Sequence, residues 1–247
     1  MSALLRAELL KLRTTRTTWV LLAVALAIVV GALIIILALL DRGGKVTDSD
    51  LGDLFSLTAI ADLLILSLGI VAAAGEFRHG TITAGFLITP SRWPVVLAKA
   101  IAYALVGLAY AAATLLVVLV VALPWLAAKD VSLELGGTAW IGPVAGRLLY
   151  AALTAALGVG LGTLFRNQAA ALVTALVTLL AIEPALSAVS DAVATYGLNG
   201  ASTALFGASE SFGGDGLPFW GGALLYAGYA ALFVGAGVAL TMRRDVA

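Results

Sequence analysis

The sequence contains no cysteine and a single histidine, His79. The missing cysteines exclude disulfides and thiolate metal sites, and a lone histidine without an acidic cluster does not suit a metal either. Charged residues make up only 11% of the chain, and 14 lysines and arginines balance 14 aspartates and glutamates. This number of charges is too small to cover the surface of a water-soluble domain. The composition therefore excludes a soluble fold.

Long apolar runs take up most of the chain. Hydrophobic residues are 62% of the total, and the mean hydropathy is +1.09. A membrane-spanning helix needs about 20 apolar residues, and these runs lack the two-residue alternation of membrane barrels. We therefore predict an all-α membrane protein that is a single transmembrane domain over 1–247. Its six expected spans cover 19–40, 54–74, 95–126, 144–165, a run from about 169 that meets Glu183 and Pro184, and 219–242.

The basic residues between the runs favour one side of the membrane. Ten of the 14 fall on the side that holds the N-terminus, the loops after spans two and four, and the C-terminus: Arg6, Lys11, Arg13, Arg16, Arg78, Arg92, Lys99, Arg166, Arg243 and Arg244. The positive-inside rule then predicts that both termini are cytoplasmic. All five tryptophans fall at predicted span ends, as expected for an interfacial aromatic belt: Trp19, Trp93, Trp125, Trp140 and Trp220.

The first 18 residues precede the first span and are amphipathic. Leu5, Leu9 and Leu12 share one helical face, with charged residues around the rest. This spacing predicts an interfacial helix over 1–18 that lies on the inner membrane surface. The alternative is a simple run of charges that orients the first span.

The cytoplasmic loop over 76–92 is the most polar part of that side outside the N-terminus. Its centre, Thr81–Ile88, can form a short helix that ends at Pro90. Either a partner docks here or the loop is an ordinary turn between two spans. The candidate docking residues are Glu76, Phe77, Arg78, His79, Thr81, Ile82, Pro90 and Arg92.

Two acids, Asp62 and Glu183, fall inside predicted spans, and both belong to the outer half of the bilayer. A charged side chain there costs about 2.5–3.5 kcal/mol on the insertion scale, so each should face the protein or a wet cavity. They can form a substrate or ion path or a gate together with Pro184. Alternatively they make structural hydrogen bonds or ion pairs, for example Asp62 with Arg147. We expect span five to end or kink near Glu183.

The extracytoplasmic segment over 191–217 is rich in glycine and serine and is too polar to span. It either re-enters the outer leaflet as short broken helices or forms a plain surface loop. The phosphate-loop, zinc-protease and serine-hydrolase signatures are missing from the sequence, which predicts that this chain is not an enzyme.

Several of these segments together resemble the permease subunits of bacterial ATP-binding-cassette (ABC) exporters of the type-2 family. The stretch Arg6–Arg16 looks like the family's Glu-x-x-Lys-Leu lead-in to span one. The most specific feature is the run Gly75–Ile82, followed by Pro90–Arg92 and Lys99, which looks like the loop after span two. Ile182–Pro184 and the six-span pattern complete the likeness, which covers nearly the whole chain.

The resemblance implies an exporter half in the bacterial cytoplasmic membrane. Two ABC ATPase subunits and a second permease copy or paralogue would be its partners in the bilayer, with no role for nucleic acid. The 76–92 segment would hold the coupling helix. This chain would carry no cofactor of its own, with ATP and magnesium bound by the ATPase. The substrate would be amphipathic, such as a drug, antibiotic, peptide or lipid. The alternatives are an ion-coupled transporter that uses Asp62 and Glu183, and a membrane scaffold without transport.

Overall fold

The computed structural model describes residues 1–43, 59–81, 92–128, 141–206 and 216–243. These residues are almost entirely helical and include no strand, which confirms the all-α prediction. In chain order the helices are α1 (Ser2–Thr14), α2 (Arg16–Gly43), α3 (Ala59–Arg78), α4 (Trp93–Ala128), α5 (Ile141–Phe165), α6 (Gln168–Val177), a π-helical turn (Thr178–Ile182), α7 (Glu183–Ser187), α8 (Asp191–Tyr196), α9 (Leu198–Leu205) and α10 (Phe219–Arg243).

Five helical stretches among the described residues are long and apolar enough to cross a membrane. They are Arg16–Ala38, Trp93–Trp125, Gly142–Phe165, Gln168–Ser187 and Phe219–Met242. A multi-pass membrane protein is therefore supported, and these five agree with predicted spans one, three, four, five and six. Helix α3, the predicted second span, is not among the five, and it contains Asp62, Glu76 and Arg78 within its 20 residues.

Helix α5 lies at the centre of the bundle and packs against α3, α4 and α10. Small residues allow the backbones to approach closely. A Cβ atom on Gly69 of α3 would lie 2.4 Å from the carbonyl oxygen of Ala155, and one on Gly158 of α5 would lie 2.4 Å from that of Leu66. Membrane helices associate through such contacts because hydrocarbon gives no hydrophobic drive for apolar side chains to pair.

The periphery of the bundle is apolar and exposed. Leu116 on α4, Val173 on α6 and Leu224 on α10 are 61%, 61% and 74% exposed. This surface is suited to lipid, since a lipid-facing helix buries its polar backbone but not its side chains.

The helix ends meet in two groups at opposite ends of the bundle. At the end that we call the Lys99 end, α1 meets the last turn of α3 and the first turns of α4 through ion pairs. Arg166, in the turn between α5 and α6, lies over the ring of Phe77 at the same end. At the opposite end, which we call the Asp62 end, the first turns of α3 and α5 are joined by the Asp62–Arg147 ion pair.

The segment before α10 is not a plain surface loop in its described part. Helix α9 packs on α5 and α10, where Leu205 and Ala201 bury against Ala223 and Tyr226. Close approach requires a glycine in α5, because a Cβ atom on Gly146 would lie 1.8 Å from the carbonyl oxygen of Leu205. Of the two alternatives for 191–217, the short broken helices are therefore the one that agrees with α8 and α9.

Candidate functional site

Four charged residues from three helices form a connected network at the Lys99 end. Lys99 donates hydrogen bonds from Nζ to Glu8 Oε2 at 2.6 Å and to Glu76 Oε1 at 2.9 Å. Lys11 donates from Nζ to Glu8 Oε1 at 2.7 Å and to the same Glu76 Oε1 at 2.9 Å. This charge network, Glu8–Lys11–Glu76–Lys99, ties α1 to the end of α3 and to the second turn of α4.

Most of the charge network is buried. The side chain of Lys99 is 5% exposed, that of Glu8 is 7% and that of Glu76 is 15%, whereas Lys11 is 55% exposed. An isolated ammonium or carboxylate at such depth would be costly, and each buried member here has at least one opposite charge in contact. The three helices therefore hold these positions together, because separating them would leave buried charges without partners.

The titration of Glu76 and Lys11 reflects this pairing. Burial raises the pKa of Glu76, but Lys99 and Lys11 together outweigh burial, so the pKa lies below its ordinary value of 4.5. Burial lowers the pKa of Lys11, but its hydrogen bonds to Glu8 and Glu76 dominate, and the pKa lies above 10.5. Both groups therefore stay charged through the neutral range.

The apolar face of α1 packs as predicted. Leu12 is buried in the core between α3, α4 and α5, and Leu5 and Leu9 pack against the same cluster. The helix ends at Thr14, and the extended backbone of Thr15 (ψ 119°) separates it from α2. The structure thus confirms a helix over most of 1–18 with these three leucines on its packed face. Its position on the membrane surface remains a prediction.

The structure divides the predicted docking residues into two sets. Glu76 and Phe77 turn inward, Glu76 to the two lysines and Phe77 to the guanidinium of Arg166, whose Cζ lies 4.9 Å from the ring centroid. Arg78, His79 and Thr81 are exposed around a turn in which Gly80 has a φ of 67°. Ile82 and Pro90, and the predicted coupling helix beyond Thr81, lie outside the described residues.

Arg92 is the last predicted docking residue and it contacts another helix. Its Nη1 donates to the carbonyl oxygen of Thr241 at 3.0 Å, in the last turn of α10. A cation at a helix C-terminus satisfies carbonyls that have no partner within the helix. The loop over 76–92 is thus joined at its two ends to α1 and to α10.

At the Asp62 end, Asp62 and Arg147 form a buried ion pair through Asp62 Oδ2 and Arg147 Nη1. The two side chains are 3% and 5% exposed. The ion pair named in the sequence analysis as the structural alternative for Asp62 is therefore present. Asp62 Oδ1 has no hydrogen-bond partner in the described part of the chain.

Aromatic rings surround this ion pair. The rings of Tyr150 and Phe206 lie with their centroids 6.0 and 5.8 Å from Cζ of Arg147. Tyr226 lies behind Tyr150, with ring centroids 4.9 Å apart, and its hydroxyl is 2.9 Å from Thr154 Oγ1. Phe206 follows α9 directly, so the last described residue of this part of the chain lies beside the ion pair.

Glu183 caps the N-terminus of α9. Its Oε1 accepts a hydrogen bond from the backbone N–H of Asn199 at 2.9 Å, in the first turn of α9. A carboxylate at a helix N-terminus satisfies a free N–H group and interacts favourably with the helix dipole. A glycine suits the residue before α9, because a Cβ atom on Gly197 would lie 2.6 Å from the carbonyl oxygen of Val193. Glu183 is buried, as expected, but its Oε2 has no partner among the described residues.

Span five widens just before Glu183 and ends at Ser187, which agrees with the expected end or kink near Glu183. Over Thr178–Ile182 the helix widens, and the N–H of Glu183 bonds to Thr178 five residues back. At this spacing the carbonyl of Leu179 would bond to residue 184, but proline has no N–H. The side-chain amide of Asn199 donates to that carbonyl instead, at 3.3 Å. The helix then ends at Ser187.

Sequence reasoning missed Glu8, Lys11 and Lys99 as candidate site residues. Lys99 was counted as a cytoplasmic charge and as part of the resemblance but was given no partner, although it lies in an otherwise apolar run where a cation needs one. The segments assigned to its side of the membrane contain only three acids, Glu8, Glu76 and Asp245. Because so few acids are available to pair with Lys99, the sequence did contain a signal for the network. Among the described residues, no group of three or more histidine, cysteine or acidic side chains could hold a metal ion.

Comparison of the chain with protein-family models and with curated proteins gives no match.

Proposed function

We propose that this chain is the permease subunit of an ABC exporter, which moves an amphipathic substrate outward with energy from ATP hydrolysis on separate subunits. The proposal starts from the sequence resemblance. Two of the segments that carry the resemblance, the lead-in helix and the loop after span two, are in direct contact in the structure. The observation that supports it best is the charge network, because it connects both segments to α4.

The network gives the loop a rigid attachment. A partner that pushes on the exposed turn at Arg78–Thr81 acts on the end of α3, and Glu76 passes the displacement to Lys99 on α4 and to Lys11 on α1. Packed helices and buried ion pairs transmit such motion because they cannot deform continuously. ATP and magnesium belong to the ATPase in this proposal, and this chain carries no catalysis.

The proposed topology has six spans with both termini in the cytoplasm, in the cytoplasmic membrane of a bacterium. It places the Lys99 end, which holds most basic residues, on the cytoplasmic side. The assembly contains two ATPases and two permeases, either identical or related, in the lipid bilayer.

The substrate path in this proposal runs near the Asp62 end, beside Asp62, Glu183 and Pro184. Each acid has a partner that accounts for its burial: Arg147 for Asp62, and the first turn of α9 for Glu183. Those partners favour gate or positioning roles over the proton sites that an ion-coupled transporter would need.

Co-purification with an ATPase tests the proposal. The full chain, tagged and purified from native membranes, should carry an ATP-hydrolysing ABC subunit in equal amount. Arg78→Glu with His79→Glu should remove that subunit, because both side chains are exposed in the turn where docking is proposed. Ala192→Glu with Ala194→Glu, which adds acids at exposed positions on α8, is the control and should leave the complex intact. A stable chain that never carries an ATPase, or one whose ATPase survives the Arg78 and His79 changes, would contradict the proposal.

A further inference from the structure

The α1–α2 elbow, defined here as Arg13, Arg16 and Trp19, has an ordered geometry. The backbone between the helices is extended at Thr15, and the Trp19 indole donates from Nε1 to the carbonyl oxygen of Arg13 at 3.1 Å. This hydrogen bond satisfies a carbonyl at the end of α1. It also holds Arg13 level with the polar tip of the indole.

The elbow presents only positive charge to its surroundings. Arg13 and Arg16 are exposed, and so is Arg6, about two helical turns before Arg13 on α1. Glu8 is the only acid in the first 19 residues, and its side chain is 7% exposed because it is turned into the charge network. Within the first 19 residues, an approaching anion therefore meets exposed arginines without an exposed carboxylate.

The exposed face of α2 places the elbow at the level of lipid headgroups. Arg16 comes first, then Trp19 and Val20 at 57% and 58% exposed, and then Val24 at 41%. At 1.5 Å per residue, the step from arginine to apolar surface takes roughly one helical turn. Charge, then indole, then aliphatic side chains is the order met on entering a bilayer from water.

We infer that the α1–α2 elbow binds the headgroups of anionic phospholipids. The arginine guanidinium forms paired hydrogen bonds with phosphate oxygens, and each basic residue at a membrane surface favours lipids with net negative charge. The elbow thereby fixes the depth and tilt of α1, and through the charge network the position of Glu76 and Lys99. The inference rests on the membrane placement in the proposed function, but neither on export nor on an ATPase.

Lipid-specific quenching of a single tryptophan tests this inference on the full chain. One variant keeps only Trp19 and its counterpart keeps only Trp220, with the other tryptophans changed to phenylalanine. Both are reconstituted in mixed phosphatidylcholine and phosphatidylglycerol vesicles in which one lipid or the other carries brominated acyl chains. Per molecule of quencher, phosphatidylglycerol should quench Trp19 about three-fold more than phosphatidylcholine does. Trp220, exposed at the start of α10 and remote from the elbow in sequence, should show no preference.

Charge variants assign the preference to the elbow. Arg13→Gln with Arg16→Gln should abolish it, Arg13→Lys with Arg16→Lys should keep it, and added salt should weaken it. Unchanged quenching of Trp220 in the parallel variants shows that the fold is retained. Equal quenching of Trp19 by the two lipids, or a preference that survives both glutamines, would overturn the inference. Absence of quenching by either lipid would overturn the membrane placement of the elbow as well, whereas a missing ATPase would leave the result untouched.

Discussion

At the scale of single residues, burial separates two lysines that the sequence presents as equivalents. Lys11 and Lys99 each contact Glu8 and Glu76, at nearly the same distances. Water screens the exposed Lys11, and exposed ion pairs contribute roughly 0–1 kcal/mol. Lys99 lies in the core, where removal of one partner leaves the other charges buried and only partly compensated.

We expect Lys99→Gln to destabilise the protein far more than Lys11→Gln. The first change should cost about 3 kcal/mol or more, since Glu8 and Glu76 then share one exposed lysine, and the second should cost under about 1 kcal/mol. Thermal unfolding of the two purified variants in the same detergent checks the difference. Equal losses of stability would show that the network does not hold the helices together.

The same measurement against pH gives a second readout. The pKa of Glu76 is lowered on folding, so its contribution is present above about pH 4.5 and is lost as pH falls through the folded value. The pKa of Lys11 is raised, so its contribution is present below about pH 10.5 and is lost as pH rises through the folded value. We expect the Lys99→Gln protein to lose less stability as pH falls, because without the Lys99 ammonium folding lowers the pKa of Glu76 less.

At the scale of helices, the sequence predicted well which helices exist and how far they extend, but not which helices contact one another. The bounds of the sixth span, 219–242, agree with α10 over Phe219–Arg243, because apolar run length determines both. The ion pair of Lys99 with Glu8 joins residues 91 positions apart, and hydropathy contains no information on such a contact. Asp62 with Arg147 was named beforehand only because a buried acid needs a cation and few cations lay at the outer ends.

The end or kink of span five was predicted from Glu183 and Pro184, but the hydrogen bonds that replace the one lost at proline were not. A proline lacks one N–H, and the sequence does not say which carbonyl is left over or what satisfies it. The structure assigns that carbonyl to Leu179 and its donor to the side chain of Asn199, from the helix that Glu183 caps. Glu183 and Asn199 thus satisfy backbone groups on both sides of the connection, namely the N–H in the first turn of α9 and the carbonyl of Leu179.

This arrangement makes Pro184 and Asn199 energetically dependent on each other. Asn199→Ala should cost about 1 kcal/mol, because it leaves the Leu179 carbonyl without a donor. In a Pro184→Ala background, residue 184 has an N–H that can reach Leu179, so the same change should cost clearly less. A double-mutant cycle of thermal stability measures the coupling. Thr203→Ala in place of Asn199→Ala gives the control pair, because the Thr203 hydroxyl donates within α9 to the carbonyl oxygen of Gly200. Additive effects of Pro184→Ala and Asn199→Ala would contradict the assignment.

At the scale of the whole molecule, contacts between helix ends constrain the number of crossings. Lys11 precedes α2 and Glu76 lies at the end of α3, yet their side chains are 2.9 Å apart. If α2 crosses the bilayer, the chain must return before Glu76, and α3 is the helix described between them. The charged residues of α3 lie near its two ends. Glu76 belongs to the charge network and Arg78 to the exposed turn, whereas Asp62 is paired with Arg147. These contacts are consistent with the sixth crossing that the proposed topology assigns to α3.

Cysteine labelling can test this topology cleanly because the chain contains no cysteine of its own. We expect single cysteines at His79 and Asn167, exposed near the Lys99 end, to react with a membrane-impermeant maleimide only from the cytoplasmic side. A single cysteine at Tyr196, which is 56% exposed on α8, should react only from outside. Intact cells and inside-out vesicles give the two measurements, and labelling after detergent solubilisation shows that every site is reactive. The physical reason is the even number of crossings that the proposed topology places between α1 and Glu76, together with the excess of basic residues at the Lys99 end. Reaction of the cysteines at His79 and Tyr196 from the same side would reject the six-span arrangement, and a clean reversal of sides would reject the cytoplasmic placement of the Lys99 end.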